Sequence, residues 1–292
     1  MPESKSPVCV ADVKAVLGEG PVWVPRESAL YWVDIKGGRI FRRVSATGEV
    51  TSWQPPFRVC SLAPRESGGF VAGSENGFAF IDPEARRYEL HANPEPERET
   101  NRFNDGKVDR EGRFWAGTMD DEEVLASGAL YLLDRDRNWC RMDDGYRVTN
   151  GPAFSPGGRL MYHNDSALRI TYEFDLDEGG TPTNKRVFAE YGEEQGYPDG
   201  MTVDSEGCLW IAFWDGWCVR RYAPNGELLL TVELPVQRPT SCAFGGDRLD
   251  QLFITSATVG LDEEALAKQP FAGGLFSVVP GVNGPPEAAF GG

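Results

Sequence analysis

Residues 22–34 read VWVPRESALYWVD and residues 203–215 read VDSEGCLWIAFWD. Each is a short apolar strand, a polar turn, and a second strand that carries aromatics. The unit recurs as LAPRESGGFVAG at 62–73, VDREGRFWAGT at 108–118, FSPGGRLMYHND at 154–165 and FGGDRLDQLFIT at 244–255. The first apolar residues of the second strands are Leu30, Phe70, Phe114, Leu160, Leu209 and Leu252, spaced by 40, 44, 46, 49 and 43 residues. A third strand follows in each unit: RIFRRV, GFAFID, GALYLLD, ITYEFDL, CVRRYAP and GGLFSVV. A four-stranded unit cannot bury both faces alone, whereas radial stacking buries each face on a neighbour. Six such units predict an all-β, six-bladed β-propeller. The sixth unit ends near the C-terminus, so residues 8–16 are expected to supply its outer strand and close the ring. No linker or break in composition interrupts residues 1–292, which are expected to form one domain.

Composition agrees with many short strands. The chain has 34 Gly, 21 Pro and 33 aromatics (8 Trp, 9 Tyr, 16 Phe), and one convincing helical stretch at 262–268. With 29 Lys+Arg against 45 Asp+Glu, the formal charge is −16. Nucleic acid and anionic membrane surfaces both need a cationic face, so neither is an expected partner. No apolar run approaches the ~18–20 residues of a spanning helix, and the polar residues 1–7 show no signal-peptide core. Cys9, Cys60, Cys140, Cys208, Cys218 and Cys242 are dispersed without a CxxC pair. Buried free thiols and a cytoplasmic location are the expectation.

The innermost strand of each blade lines a central channel. Aligned on Trp23, Leu62, Val108, Phe154, Val203 and Phe244, the six inner strands place Glu19, Arg58, Asn104, Asn150, Asp199 and Thr240 four residues upstream, at one mouth. Two carboxylates there, taken at ~6 Å and an effective dielectric near 20, repel by about 2.8 kcal/mol. A shared proton, Arg58 as counter-charge, or a bound cation would relieve this. Two carboxylates with two amide carbonyls form an all-oxygen set, which suits a hard divalent ion. The bland alternative is that these groups cap strand ends.

The stretch RFNDGKVDREGRFWAGTM at 102–119 resembles the senescence marker protein, regucalcin and gluconolactonase family of sugar lactonases. So do LGEGPVW at 17–23, TNGPAFS at 149–155, YPDGMTVDSEGCLWIA at 197–212, TSCAFGG at 240–246 and QPFAGGLF at 269–276. The resemblance implies a propeller that holds one divalent ion (Ca²⁺, Zn²⁺, Mn²⁺ or Mg²⁺) through Glu19, Asn150 and Asp199. It implies substrate contacts from Arg102, Asn104 and Glu122, with Glu123 the neighbouring candidate in the run DDEE. The activity implied is hydrolysis of an aldonolactone such as glucono-, xylono- or arabinolactone. Asp199 is the expected general base, with Asp105 as its alternative, and Tyr197 and Trp214 are candidates to wall the mouth. A phosphotriesterase on the same ion and a non-catalytic calcium-binding regulatory protein are the rival readings. The expected partner is a small sugar lactone, and the chain is expected to be a monomer or weak homo-oligomer.

Competing chemistry is sparse. No GxSxG elbow, Walker or dinucleotide motif is present. DRDRN at 134–138 lacks the glycine and terminal Glu of a calcium loop and reads as a blade turn. His91 reads as a solvated loop residue, and His163 as a hydrogen-bonded strand residue.

Overall fold

Each sequence repeat becomes one antiparallel sheet. The computed structural model describes residues 6–177 and 179–292; residues 1–5 of the polar opening stretch lie outside the described residues. Six four-stranded sheets form a six-bladed β-propeller. The inner strands are Gly18–Val24, Val59–Pro64, Asn101–Val108, Thr149–Phe154, Tyr197–Val203 and Pro239–Gly245. Each touches the inner strand of both neighbouring blades, so the ring is continuous. In the sixth sheet the order is Val8–Ala11, Leu275–Val278, Gln251–Ser256, Pro239–Gly245. Val8 pairs with Ser277, so the first strand of the chain lies outermost beside the last.

Aromatics stitch every blade to the next. Tyr31 meets Phe70 with ring centroids 4.7 Å apart, Phe78 meets Phe103 at 4.5 Å and Trp115 meets Phe154 at 6.0 Å. Phe188 meets Tyr222 at 6.4 Å, Trp210 meets Phe244 at 5.8 Å, and Trp23 meets Phe253 at 6.3 Å. Large rings in tilted or offset contact bury the most apolar area per residue, which is why aromatics recur at these positions.

Buried aspartates shape the hairpins at the closed end. Asp109 accepts the amides of Glu111 and Arg113 and the Trp115 indole N–H (2.8 Å). Asp204 does the same for Glu206, Cys208 and the Trp210 indole (2.9 Å). The repeated Asp-x-x-Gly-x-x-Trp spacing therefore closes the turn and ties it to the blade interior.

The tail after Val278 crosses this closed end. Asn283 O accepts from Ser205, Gly291 N donates to Gly112 O, and Phe290 N donates to Pro64 O (2.8 Å). Phe290 is fully buried against Phe80. Glu287 and Ala288 line the small lower pocket, about 20 Å³, beneath Asp105 and Lys107.

The short helix Glu263–Lys268 starts at Asp262, whose carboxylate caps Ala265 N. Residues 134–138 form a blade turn, with Asp134 N bonded to Asn138 O. All six cysteines are free. Four are buried, whereas Cys140 is exposed, contrary to the expectation of uniformly buried thiols. His163 also departs from expectation. It is fully buried, yet neither ring nitrogen has a hydrogen-bond partner, and Tyr146 packs edge-on at 4.7 Å. Among the described residues no helix is long and apolar enough to cross a membrane.

Candidate metal and substrate site

The open mouth of the channel is shaped by a defect repeated in all six blades. In the first blade Glu19 pairs with Val33 but Val22 pairs with Tyr31, one extra residue on the inner strand. The same slip occurs after Val59, Phe103, Asn150, Pro198 and Pro239. A β-bulge turns an in-plane side chain out of the alternation and aims it elsewhere, here toward the axis. Gly20 (φ 52°) and Gly151 (φ 84°) follow two of these residues, in a region that a side chain strains.

The strand starts above the bulges are pinned by carboxylates. Asp34 accepts Val16 N and Leu17 N at 2.9 Å, two residues before Glu19. Asp165 accepts Arg147 N and Val148 N, two residues before Asn150. Glu19 and Asn150 thus stand on strands whose approaches are fixed by hydrogen bonds.

The cavity so formed has a volume of about 470 Å³. Its walls include Glu19, Arg102, Asn104, Asn150 and Asp199, with Tyr197 and Trp214 higher up. All of the first five are buried in the sense that under a tenth of each is exposed. Arg58 is not among the lining residues; its guanidinium is held by Glu75 (2.5 Å) and Asp121 (2.9 Å) and provides no counter-charge at the axis. Glu122 is not among them either. Glu123 is, because the loop turns after Asp120, with Glu123 N on Asp120 O (2.9 Å) and Glu123 at φ 58°. Of the two neighbouring candidates in the run DDEE, Glu123 therefore stands at the cavity wall and Glu122 does not.

Electrostatics at the floor are unbalanced. Burial, then the charge of Asp105, push the Glu19 carboxyl up to about 8. Asp199 is raised well above its ordinary value by burial, then by Glu19 and Asp105. Asp105 is pushed up to about 6 by burial, against the opposing pull of Lys107. Among the described residues neither Glu19 nor Asp199 has an ion-pair partner, and Arg102 is committed to Asp121. Buried carboxylates without a cation are costly, so this arrangement is built either to hold protons or to receive a positive ion.

The donors fit a hard divalent ion. Glu19 accepts one internal hydrogen bond, from Gly20 N at 3.0 Å, and retains free lone pairs. The nitrogen of the Asn150 amide is spent on Ser166 Oγ (2.9 Å), and among the described residues its oxygen accepts only from Asn104 (3.1 Å). Glu19, Asn150 and Asp199 thus present oxygen alone, the preference of Ca²⁺, Mg²⁺ or Mn²⁺. Among the described residues no three His, Cys, Asp or Glu side chains come together to hold an ion by themselves. A set built on Glu19 and Asp199 would therefore need the Asn150 amide oxygen as well.

Two sequence expectations change in detail. Asn104 has its oxygen on Arg102 Nη1 (2.7 Å) and its nitrogen on Thr149 O (2.7 Å) and Asn150, so both of its N–H donors are used internally. Asp105 does not line the main cavity. It lies over the lower pocket, accepting Gly106 N (2.8 Å) and Gly151 N (2.9 Å). Asp121 and Ser166, which touch Arg102 and Asn150, have no signal in the repeat alignment; each lies just past the second strand of the same blade, where the hairpin pairing sets it beside the inner strand.

Known proteins share this fold and resemble the chain in sequence. Residues 17–258 match the family model described as SMP-30/Gluconolactonase/LRE-like region. The chain is 38% identical over 285 residues to a 6-deoxy-6-sulfogluconolactonase of Pseudomonas putida, covering 97% of this chain and 98% of that protein. It is 41% identical over 287 residues to the regucalcin of Danio rerio, covering 97% of each. A crystal structure of a calcium-binding protein, regucalcin, from Agrobacterium tumefaciens superposes with a TM-score of 0.94 at 28% identity, covering 98% of this chain and 97% of that one. The chain belongs to the SMP-30/gluconolactonase/LRE-like family.

Proposed function

We propose that the protein is a divalent-metal-dependent lactonase that opens a sugar-acid lactone, an aldonolactone, to the aldonic acid. The observation that carries this reading is the pair of buried carboxylates Glu19 and Asp199, without an ion-pair partner among the described residues, beside the Asn150 amide at the foot of the cavity. Glu19, Asn150 and Asp199 would hold the ion. When bound, it supplies Lewis-acid polarisation of the lactone carbonyl and stabilises negative charge that develops there.

The protein groups do the rest. Asp199 takes a proton from the attacking water, and the same proton returns to the ring oxygen as the C–O bond breaks. Asp199 suits this better than Asp105, which lies below the cavity and is capped by two backbone amides. Arg102 keeps Nη2 without a protein partner among the described residues, free to donate to a ring hydroxyl. Glu123 accepts from another hydroxyl, and Tyr197 and Trp214 wall the sugar. Asn104, its donors spent, orients Arg102 and Asn150.

A polyhydroxylated substrate accounts for Arg102 and Glu123 in a way that an organophosphate does not. The related P. putida protein, named for a sulfonated gluconolactone, supports this substrate class. The test is a pH-stat assay of metal-reconstituted protein on pentono- and hexonolactones beside an organophosphate. Metal-dependent turnover of at least one aldonolactone is expected. Background rates on every lactone would reject the reading in favour of a binding protein, and preference for the organophosphate would reassign the substrate.

A further inference from the structure

One line of hydrogen bonds runs around the open mouth through four blades. Arg58 Nε donates to Glu75 (2.5 Å) and Arg58 Nη1 to Asp121 Oδ2 (2.9 Å). On its other oxygen, Asp121 accepts Arg102 Nε (2.5 Å). Arg102 Nη1 donates to Asn104 Oδ1, and Asn104 Nδ2 donates to Asn150 Oδ1. Asn150 Nδ2 donates to Ser166 Oγ, and that hydroxyl donates to Pro198 O (2.5 Å), the residue before Asp199.

The polarity of this line is forced from one end. A guanidinium only donates, so Asn104 must turn its oxygen to Arg102 and its nitrogen to Asn150. Asn150 must then turn its nitrogen away, toward Ser166, and Ser166 must pass its proton on to Pro198 O. Every amide along the line has one orientation.

We propose that Asp121 and Ser166 are the two positioning residues of this line. Asp121 aims the unspent Nη2 of Arg102 at the substrate, and Ser166 locks the Asn150 amide with its oxygen available to the ion. This deepens the lactonase reading and rests on it. Asp121 acts through Arg102, and Ser166, which lines the cavity but has its hydroxyl engaged by Asn150 and Pro198 O, acts through Asn150. Groups that orient a ligand by hydrogen bonding commonly change metal affinity about ten- to a hundredfold when removed.

The experiment uses full-length protein stripped with chelator and titrated with Mn²⁺ in a calorimeter, together with steady-state kinetics on the best aldonolactone. Ser166→Ala should weaken Mn²⁺ binding about tenfold or more, and Ser166→Thr, which keeps the hydroxyl, should restore most of it. Asp121→Asn should raise KM about tenfold while kcat and Mn²⁺ affinity stay within about twofold, and Asp121→Glu should recover part of the loss. Wild-type Mn²⁺ affinity in Ser166→Ala, or a loss in Asp121→Asn that falls on kcat or on Mn²⁺ binding, would overturn the proposal even if the lactonase reading stands. Wild-type protein that binds no Mn²⁺ would remove the ligand assignment and the proposal with it.

Discussion

Raising the pH from 6.5 to 8 should destabilise the ion-free protein, and a divalent ion should cancel the effect. Glu19 has an ordinary carboxyl value of 4.5 that the fold moves up to about 8. A carboxyl raised in the folded state contributes stability that is complete below 4.5 and is lost as pH climbs through 8. At about 1.4 kcal/mol per unit, the full span is worth about 5 kcal/mol, of which about 2 kcal/mol falls between pH 6.5 and 8. For a domain of this length that is a fall in Tm of roughly 5 °C. Asp105 and Asp199 are raised too and push in the same direction. His163 offsets this by less than about 0.5 kcal/mol, because from its ordinary value of 6.5 upward it loses what charge it carries in the unfolded chain and is already neutral when folded. Differential scanning calorimetry of chelator-treated protein across this window, with and without saturating Mn²⁺, reads the effect. Glu19→Gln should flatten the slope, since the amide carries no charge to bury. An ion-free Tm that is level or rises over the window would refute the buried-carboxylate argument.

Four further outcomes follow from the same geometry. Asp199→Asn should cut lactone turnover about a thousandfold, as expected for loss of a general base that is also a ligand, while the ion-free Tm at pH 8 rises; near-normal kcat would reject its role. Glu123→Gln should raise KM several-fold and Glu122→Gln should leave it unchanged, as steady-state kinetics would show; the reverse pattern would restore Glu122. Burial, and secondarily Lys185, push His163 down to about 3, so stability is lost as pH falls from 6.5 toward 3, by about 2 kcal/mol at pH 5. Denaturant melts of His163→Leu should lack this acid-side loss. Phe290→Ala should cost about 3 kcal/mol, because it empties a fully buried site that holds the tail across the closed end; a chemical melt within 1 kcal/mol of wild type, the scale of an ordinary surface change, would show the tail to be dispensable.

The propeller was legible because its physics repeats: each blade must bury two faces, so strand, turn and aromatic recur at near-constant spacing. The level of the mouth was legible for the same reason. A bulge interrupts every inner strand two to four residues before its anchor, so counting back four residues lands on it or just before it, at Glu19, Asn104, Asn150 and Asp199. What the spacing did not carry was side-chain pairing at the strand ends and the local backbone of the loops. Arg58 stands at the equivalent position but is drawn aside by Glu75 and Asp121, which come from loops with no periodic signature. The choice between Glu122 and Glu123 turns on one left-handed residue in a four-residue turn, a matter of local backbone that composition does not encode. His163 sits in a strand where hydrogen bonding is the rule, and its isolation depends on the Tyr146 ring that packs on it.

The central claim is that Glu19, Asn150 and Asp199 converge on one ion at the channel axis. Anomalous diffraction from a crystal soaked in Mn²⁺ tests it most directly. The account predicts a single strong peak at the foot of the cavity, with oxygens of all three side chains about 2.0–2.6 Å away. A cavity without a peak, or a peak held by groups elsewhere on the surface, would contradict it.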